Sequence, residues 1–541
     1  MSTSPKRLIF FVCLMTFLLC VMNPGRAAQQ QQQRQERPPD PALVQSRGQA
    51  SQLAPAQAVV PPGKQAAVFP DENVSTTTHT IMIGGKPLAY TAVAGTLLLK
   101  ADDGRPRANF YFTAYFRDDV KDKALRPMAF VYNGGPGTSS VWLHMGAFGP
   151  RKVLLADDGN ALPGPFRLID NENTLLDVTD LCFLDPVSTG YSRPVPGENP
   201  AQFHGYVEDI SSVGDFIRLF VTRFERWASP KFLIGESYGT MRSAGLSGYL
   251  QSGGIGMYLN GIVLISTVLN HQNSRFHVGN DMGYILFLPT YTADAWYHKM
   301  LPQDLQAKDL TTVLDEARKF ALEEYSLALL KGNWLEPAQK QAVVQKMARY
   351  TGLSPAFIEN ANLRITLSRF CKELLRGQRK TVGRLDGRFK GFDSDAAGES
   401  NEYDPSNAAI YGPFPAMLNS YLRGELKYKN DTPYAISGNV RPWNYDNVQS
   451  QYLNASETLR GAMAENQYLK VFVACGYHDG ATPFFAAEYT VQHMALGGEL
   501  KDRFKFGYYG AGHMMYIDKT AHTKLKADLA DFIKTAAMVE K

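Results

Sequence analysis

The chain has little cysteine, little net charge and no apolar run long enough to span a membrane, and each shortage excludes something. Five cysteines are spread over 541 residues. Cys13 and Cys20 lie in an N-terminal apolar run. The other three, Cys182, Cys371 and Cys475, are odd in number and too far apart to suggest a disulfide framework. Cys182 and Cys475 fall in or beside strand-like runs, the usual place of a buried free thiol. No C-x-x-C or H-E-x-x-H pattern occurs, so no metal and no cofactor is expected. A net charge of +4 provides no basic stripe for nucleic acid. The apolar run Leu8–Met22 is shorter than the roughly 20 residues that a membrane span needs.

That run carries the marks of a signal peptide instead. Lys6 and Arg7 precede it, and the small residues Gly25, Ala27 and Ala28 come after it. Residues 1–28 are therefore expected to be cleaved, leaving a secreted or periplasmic protein with no stable membrane association. Residues 29–76 include Gln29–Gln33 and Pro38-Pro39 and lack the apolar periodicity to build a core; they read as a disordered leader.

Beyond residue 76 core-forming residues are plentiful, and 44% of the whole chain is hydrophobic. Thr80–Ile83, a Gly84-Gly85 turn and Leu88–Val93 predict a hairpin, and Asn109–Phe116 a further strand. From Pro127 short apolar runs end in glycine or polar clusters and alternate with helical stretches: Pro127–Tyr132, Leu181–Leu184, Lys231–Ile234, Gly261–Ile265 and Leu469–Ala474. Such runs predict buried, mostly parallel strands and an α/β fold. Residues 270–428 read differently. Thr311–Leu330, Glu336–Tyr350 and Leu363–Arg376 look helical, with Gly352 as a helix stop and Ser354-Pro355 as the start of the next helix. We expect a core made of 77–269 and 429–541 and a mostly helical cap inserted at 270–428.

The residues that suggest chemistry stand at strand ends. Gly235-Glu236-Ser237-Tyr238-Gly239 has the G-x-S-x-G form of a nucleophile elbow, a turn between strand and helix that raises a serine hydroxyl. Such a serine needs a base and an orienting carboxylate, which come after it in chain order. Asp479 lies just after the run Leu469–Ala474, in Gly476-Tyr477-His478-Asp479-Gly480. His513 comes after the strand-like Phe504–Tyr509, in Gly510-Ala511-Gly512-His513-Met514. His478 competes for the role of base, but neighbours on an extended turn point apart. His522 sits in a helix from about Thr520 and reads as solvated. An oxyanion needs two N–H donors. Tyr238, after the nucleophile, is one, and the loop Asn133-Gly134-Gly135-Pro136-Gly137 after an early strand supplies the other.

These blocks resemble the serine carboxypeptidase family. Asn133–Ser140 is similar to its Asn-Gly-Gly-Pro-Gly-Cys-Ser-Ser signature, Leu184–Ser192 to its Leu-Asp-Gln-Pro segment, and Gly235–Gly239 to its Gly-Glu-Ser-Tyr-Ala-Gly block. Gly476–Asp479 and Gly512-His513-Met514 resemble the other two. The resemblance implies an α/β-hydrolase fold, a mixed sheet flanked by helices with a helical cap, and a peptide hydrolase acting on peptide or protein C-termini. It implies Ser237, Asp479 and His513 as triad, and Gly135 and Tyr238 as oxyanion hole. It implies Asn133, Gly134 and a protonated Glu236 as readers of the substrate's terminal carboxylate, hence a preference for acidic pH. Three positions depart from the family. Ala147 stands where a second carboxylate-binding glutamate is usual, Val131 replaces a tryptophan, and Thr138 replaces the signature cysteine. An arginine of the cap, among Arg376, Arg379 and Arg384, could supply the missing donor. Two other readings stay open: an esterase or acyltransferase using the same site, and a catalytically inactive binding protein.

Overall fold

The computed structural model describes residues 72–252, 254–445 and 451–537. The expected signal peptide and nearly all of the expected leader lie outside the described residues. The first strand starts at Val74, three residues ahead of the expected onset at Thr77.

The strands that matter for the site are β1 (Val74–Ile83), β2 (Lys86–Lys100), β3 (Pro106–Arg117), β4 (Met128–Tyr132), β5 (Asp180–Leu184), β6 (Lys231–Ser237), β7 (Gly261–Thr267), β8 (Lys470–Gly476) and β9 (Phe504–Tyr509). They lie side by side in the order β1-β2-β3-β5-β4-β6-β7-β8-β9. β1, β2, β3 and β5 pair antiparallel along this path. From β5 onward every pairing is parallel. β4, β5 and β7 are buried along their whole length, as expected of continuous apolar runs in a sheet covered on both faces. β1, at the edge, alternates exposed and partly buried residues and is rich in threonine. The insertion of β5 between β3 and β4 is the strand order of the α/β-hydrolase fold.

Helices α1 (Tyr206–Arg223), α2 (Tyr238–Gln251), α3 (Met282–Tyr297) and α4 (Lys519–Ala537) frame the sheet and its neighbours. One core packs Phe112 and Phe130 of the sheet against Phe216 of α1 and Met241 of α2. The other packs Val131, Ile234 and Val263 against Leu525, Leu529 and Phe532 of α4. Between β7 and β8 the chain is mostly helical. The expected helix at Thr311–Leu330 is Leu310–Phe320, a π-helical turn and Ser326–Lys331. Pro337–Thr351 stops at Gly352, whose φ is +69°. Ser354 then caps the next helix by accepting the Phe357 N–H. The helix expected at Leu363–Arg376 is shorter, Leu367–Glu373, because Asn362 and Leu363 take left-handed backbone at φ +51° and +64° and break its start.

At the start of β5, Asp180 joins two buried guanidiniums. Its Oδ1 accepts from Arg126 Nε at 3.0 Å and its Oδ2 from Arg226 Nη1 at 2.5 Å. Removing the carboxylate strands two buried cations, which costs far more than losing a surface pair. We expect Asp180→Ala to lower the unfolding free energy by about 3–5 kcal/mol in urea titration.

Candidate active site

β6 ends at Ser237 and α2 begins at Tyr238 without a spacer. The turn is made by Ser237 itself, at φ +60° and ψ −127°. A side chain held there costs on the order of 1–3 kcal/mol, so the surroundings must enforce it. Two glycines do so. A Cβ on Gly235 would lie 2.2 Å from the Gly239 oxygen, and one on Gly134 would lie 2.4 Å from the Tyr238 nitrogen. The loop after β4 and the elbow therefore meet backbone to backbone, with Gly135 next in line at φ +104°. Asn133, Gly134, Gly135, Glu236, Ser237 and Tyr238 thus form one surface.

Behind that surface lies a buried cation. Arg242 of α2 donates from Nε to Asp209 of α1 at 2.8 Å and from Nη1 to the Asn133 carbonyl at 2.7 Å. The Tyr238 hydroxyl donates to the same aspartate at 3.2 Å. One arginine so ties the elbow helix to the loop that faces it. The chain returning from the helical segment closes the outer side: the Ser139 N–H donates to the Ile436 carbonyl and the Gly438 N–H to the Gly137 carbonyl. Trp443 stands edge-on to the Tyr238 ring at 5.5 Å.

Asp479 and His513 come directly after β8 and β9, next to β7 and β6. His513 Nδ1 and Asp479 Oδ2 are 2.9 Å apart, and both groups are buried. Asp479 is held in place by the N–H groups of Ala481 and Thr482 at 2.8 and 2.9 Å and by the Thr482 hydroxyl at 2.7 Å. Burial pushes the proton affinity of His513 down, but Asp479, joined by Glu236, outweighs it and holds the imidazole above its ordinary value. The segment between β7 and β8 grips this histidine. The His513 N–H donates to the Leu385 carbonyl at 2.6 Å, and the His513 carbonyl accepts from the Ser266 hydroxyl at 2.6 Å. Asp386 accepts from the Gly512 N–H at 2.9 Å, while Arg388 bridges Asp386, the Gly510 carbonyl and Asp518.

Glu236, the variable residue of the elbow, is only 3% exposed. Its Oε1 accepts from Asn133 Nδ2 at 2.9 Å, and Oε2 has no hydrogen-bond partner. Burial raises its pKa to about 7, against smaller opposing effects of His513, Tyr516 and Asn133. The two charges act on each other: the imidazolium lowers the proton affinity of Glu236, and an ionised Glu236 raises that of His513.

One expectation needs correction. His522 is buried, not solvated: its Nε2 is 2.8 Å from the Ala147 carbonyl, and burial lowers its pKa to about 3. The reason is tertiary, since the first turn of α4 packs on the π-helical turn Leu143–Phe148. His478 turns away from the elbow and pairs through Nδ1 with Asp294 of α3 at 2.9 Å. Among the three arginines, Arg376 binds Glu373 and the Gly398 carbonyl, and Arg379 is exposed. The Arg384 charge depresses the proton affinity of His513. Sequence reasoning missed Asp209, Arg242, Asp386, Arg388 and Tyr516, none of which carries a local signature.

The sequence pattern of the serine carboxypeptidases matches residues 87–514, most of the chain. The protein belongs to the serine carboxypeptidase family. KEX1, a pheromone-processing carboxypeptidase of Saccharomyces cerevisiae (strain JAY291), is 28% identical over 156 residues, 27% of this chain and 20% of that protein. The chain so spans about a fifth of that relative's length. Among solved structures, a prohormone-processing carboxypeptidase of Saccharomyces cerevisiae, Kex1(delta)p, is 15% identical with a TM-score of 0.48, over 83% of this chain and 92% of that one. A proline iminopeptidase of Mycobacterium smegmatis is 14% identical with a TM-score of 0.33, over 85% and 99%.

Asp386 touches nothing that would react, yet it fixes the loop bearing His513. Asp386→Ala should lower kcat on an activated ester by up to about 100-fold while changing KM little, because it shifts the loop that carries His513 by a fraction of an ångström. Steady-state kinetics, with a thermal melt to verify folding, measures this.

Proposed function

We propose that the protein is a serine carboxypeptidase that releases residues one at a time from peptide C-termini through a Ser237 acyl-enzyme. The Ser237 hydroxyl attacks the last peptide carbonyl. His513 takes its proton and returns it to the leaving amine, and Asp479 holds the imidazole in the required tautomer. The N–H groups of Gly135 and Tyr238 stabilise the oxyanion. Water, activated by His513, then hydrolyses the ester. The terminal carboxylate of the substrate rests against Asn133, the Gly134 N–H and Glu236.

One observation carries the exopeptidase part: a buried glutamate one residue before the nucleophile, raised to about 7, with one oxygen unpaired. An ionised carboxylate there would repel a substrate carboxylate; a protonated one donates to it. Family membership supports the same reading. We infer export as well, from the charged, apolar and small-residue segments between Lys6 and Ala28.

A second reading, a serine esterase or acyltransferase, draws on Ala147, whose methyl adds no donor to the carboxylate site. It would hydrolyse esters and leave peptides with free C-termini untouched.

The sign of the pH effect is set by Glu236. Its acid form prevails below about 7, so peptide binding is strong there and is lost as the pH rises through that value. KM for a free-acid peptide should climb across that range in the wild type. Glu236→Gln, neutral at every pH, should abolish the climb. An unchanged profile would remove Glu236 from carboxylate recognition. Ser237→Ala should abolish both turnover and labelling by a fluorophosphonate; no labelling of the folded wild type would refute the nucleophile.

A further inference from the structure

Two buried polar atoms near the elbow lack a partner in hydrogen-bond geometry: Glu236 Oε2 and the Tyr516 hydroxyl. Tyr516 is 2% exposed and belongs to the short turn Met515–Ile517 just after His513. Its ring lies against Gly146, where a Cβ would come within 2.8 Å of the ring carbon Cε2. From there the hydroxyl reaches the Asn133–Glu236 pair and acts on Glu236 as a hydrogen-bond donor would, lowering its proton affinity, although no bond of ideal geometry is formed. The other groups acting on Glu236 are His513, Asn133 and Asp479, from the loops after β9, β4 and β8.

The pairing of Glu236 Oε1 decides where the acid proton sits. Oε1 already accepts the Asn133 N–H, so it is the carbonyl oxygen and the proton rests on Oε2. That proton points into the corner occupied by Tyr516. A hydroxyl is both donor and acceptor and rotates to suit its partner. Leaving both atoms unpaired away from water is costly, so the corner is built for an exchange of hydrogen bonds.

We propose that Tyr516 is the positioning residue for carboxylate recognition, accepting the Glu236 O–H in the empty site and donating to Oε2 once that O–H turns to the substrate carboxylate. No covalent bond changes; one hydrogen bond reverses direction. The phenol is held neutral by burial and by Glu236, its pKa far above the ordinary value, so it donates at any working pH. A chain of aligned donors also strengthens each bond in it. Tyr516 therefore acts through Glu236 and not on the reacting carbonyl.

This inference rests on the carboxypeptidase reading, and one set of substrates separates the two. We would measure kcat and KM against pH for a blocked dipeptide with a free C-terminus, its C-terminal amide and an ester of the same acyl residue. The variants are Tyr516→Phe, Glu236→Gln and the double variant, with the rate of fluorophosphonate labelling as the check of a folded site. Tyr516→Phe should lower the ratio of free-acid to ester kcat/KM by about tenfold or more, through KM. It should also move the alkaline limb of the free-acid profile upward, since a donor to the ionised Glu236 has been lost. In the Glu236→Gln background the limb shift should vanish. A free-acid profile and ratio unaltered in Tyr516→Phe would overturn the role of Tyr516 and leave the carboxypeptidase reading standing. So would equal losses on all three substrates. A wild type that cleaves the free acid and the amide alike would overturn both.

Discussion

Gly134 and Gly235 let two loops approach until their backbones touch, and nearly every group of the site takes its place from that contact. The Gly134 backbone sits where a single methyl would collide with the Tyr238 nitrogen, and Gly235 sits equally close to the Gly239 carbonyl. Only this proximity allows Ser237 to keep a backbone conformation that most residues avoid. The same contact brings the Gly134 backbone against the Tyr238 nitrogen, and the Asn133 amide bonds Glu236. Arg242 holds the arrangement from behind, since one guanidinium answers both Asp209 and the Asn133 carbonyl.

Charge is managed by burial more than by pairing. Glu236 is bonded by the Asn133 amide and has no salt bridge, so leaving water raises its pKa. His513 has an aspartate at 2.9 Å, and this opposes the effect of burial. Both groups are shifted upward, Glu236 by burial and His513 by Asp479, and the charge of each acts on the other. The segment between β7 and β8 takes part in this balance. It supplies Leu385 and Asp386, which fix the histidine loop, and Asp294, which occupies His478 and keeps it away from the serine.

Much of this was legible in the sequence because the chemistry leaves local marks. A serine on a strand-to-helix turn needs glycines around it, and a carboxylate or imidazole at a strand end is announced by the apolar run before it. The strand-end positions of Ser237, Asp479, His513 and the Asn133–Gly137 loop could be read that way, as could the α/β class, whose buried strands read as unbroken apolar runs. What escaped depends on contacts between distant parts of the chain. His522 looks solvated among the lysines of its helix, and only the turn at Leu143–Phe148 reveals that it is buried. Asp386 and Arg388 lie in an ordinary-looking turn until β9 delivers Gly510 and Gly512 beside them. Tyr516 gains meaning only where Gly146 leaves room for its ring. The helix expected from Leu363 begins late because two residues in left-handed backbone interrupt it, which apolar periodicity does not report.

The central claim is that a neutral Glu236, set beside a Ser237 nucleophile, selects free C-termini. It is tested most directly by mass spectrometry of a defined peptide mixture, half of it C-terminally amidated, after incubation at pH values on both sides of neutrality. The account requires ladders of single-residue losses from the C-termini of the free-acid peptides, strong at acidic pH and fading above about 7, with the amidated peptides largely spared. Internal cuts, or equal shortening of acids and amides at every pH, would contradict it.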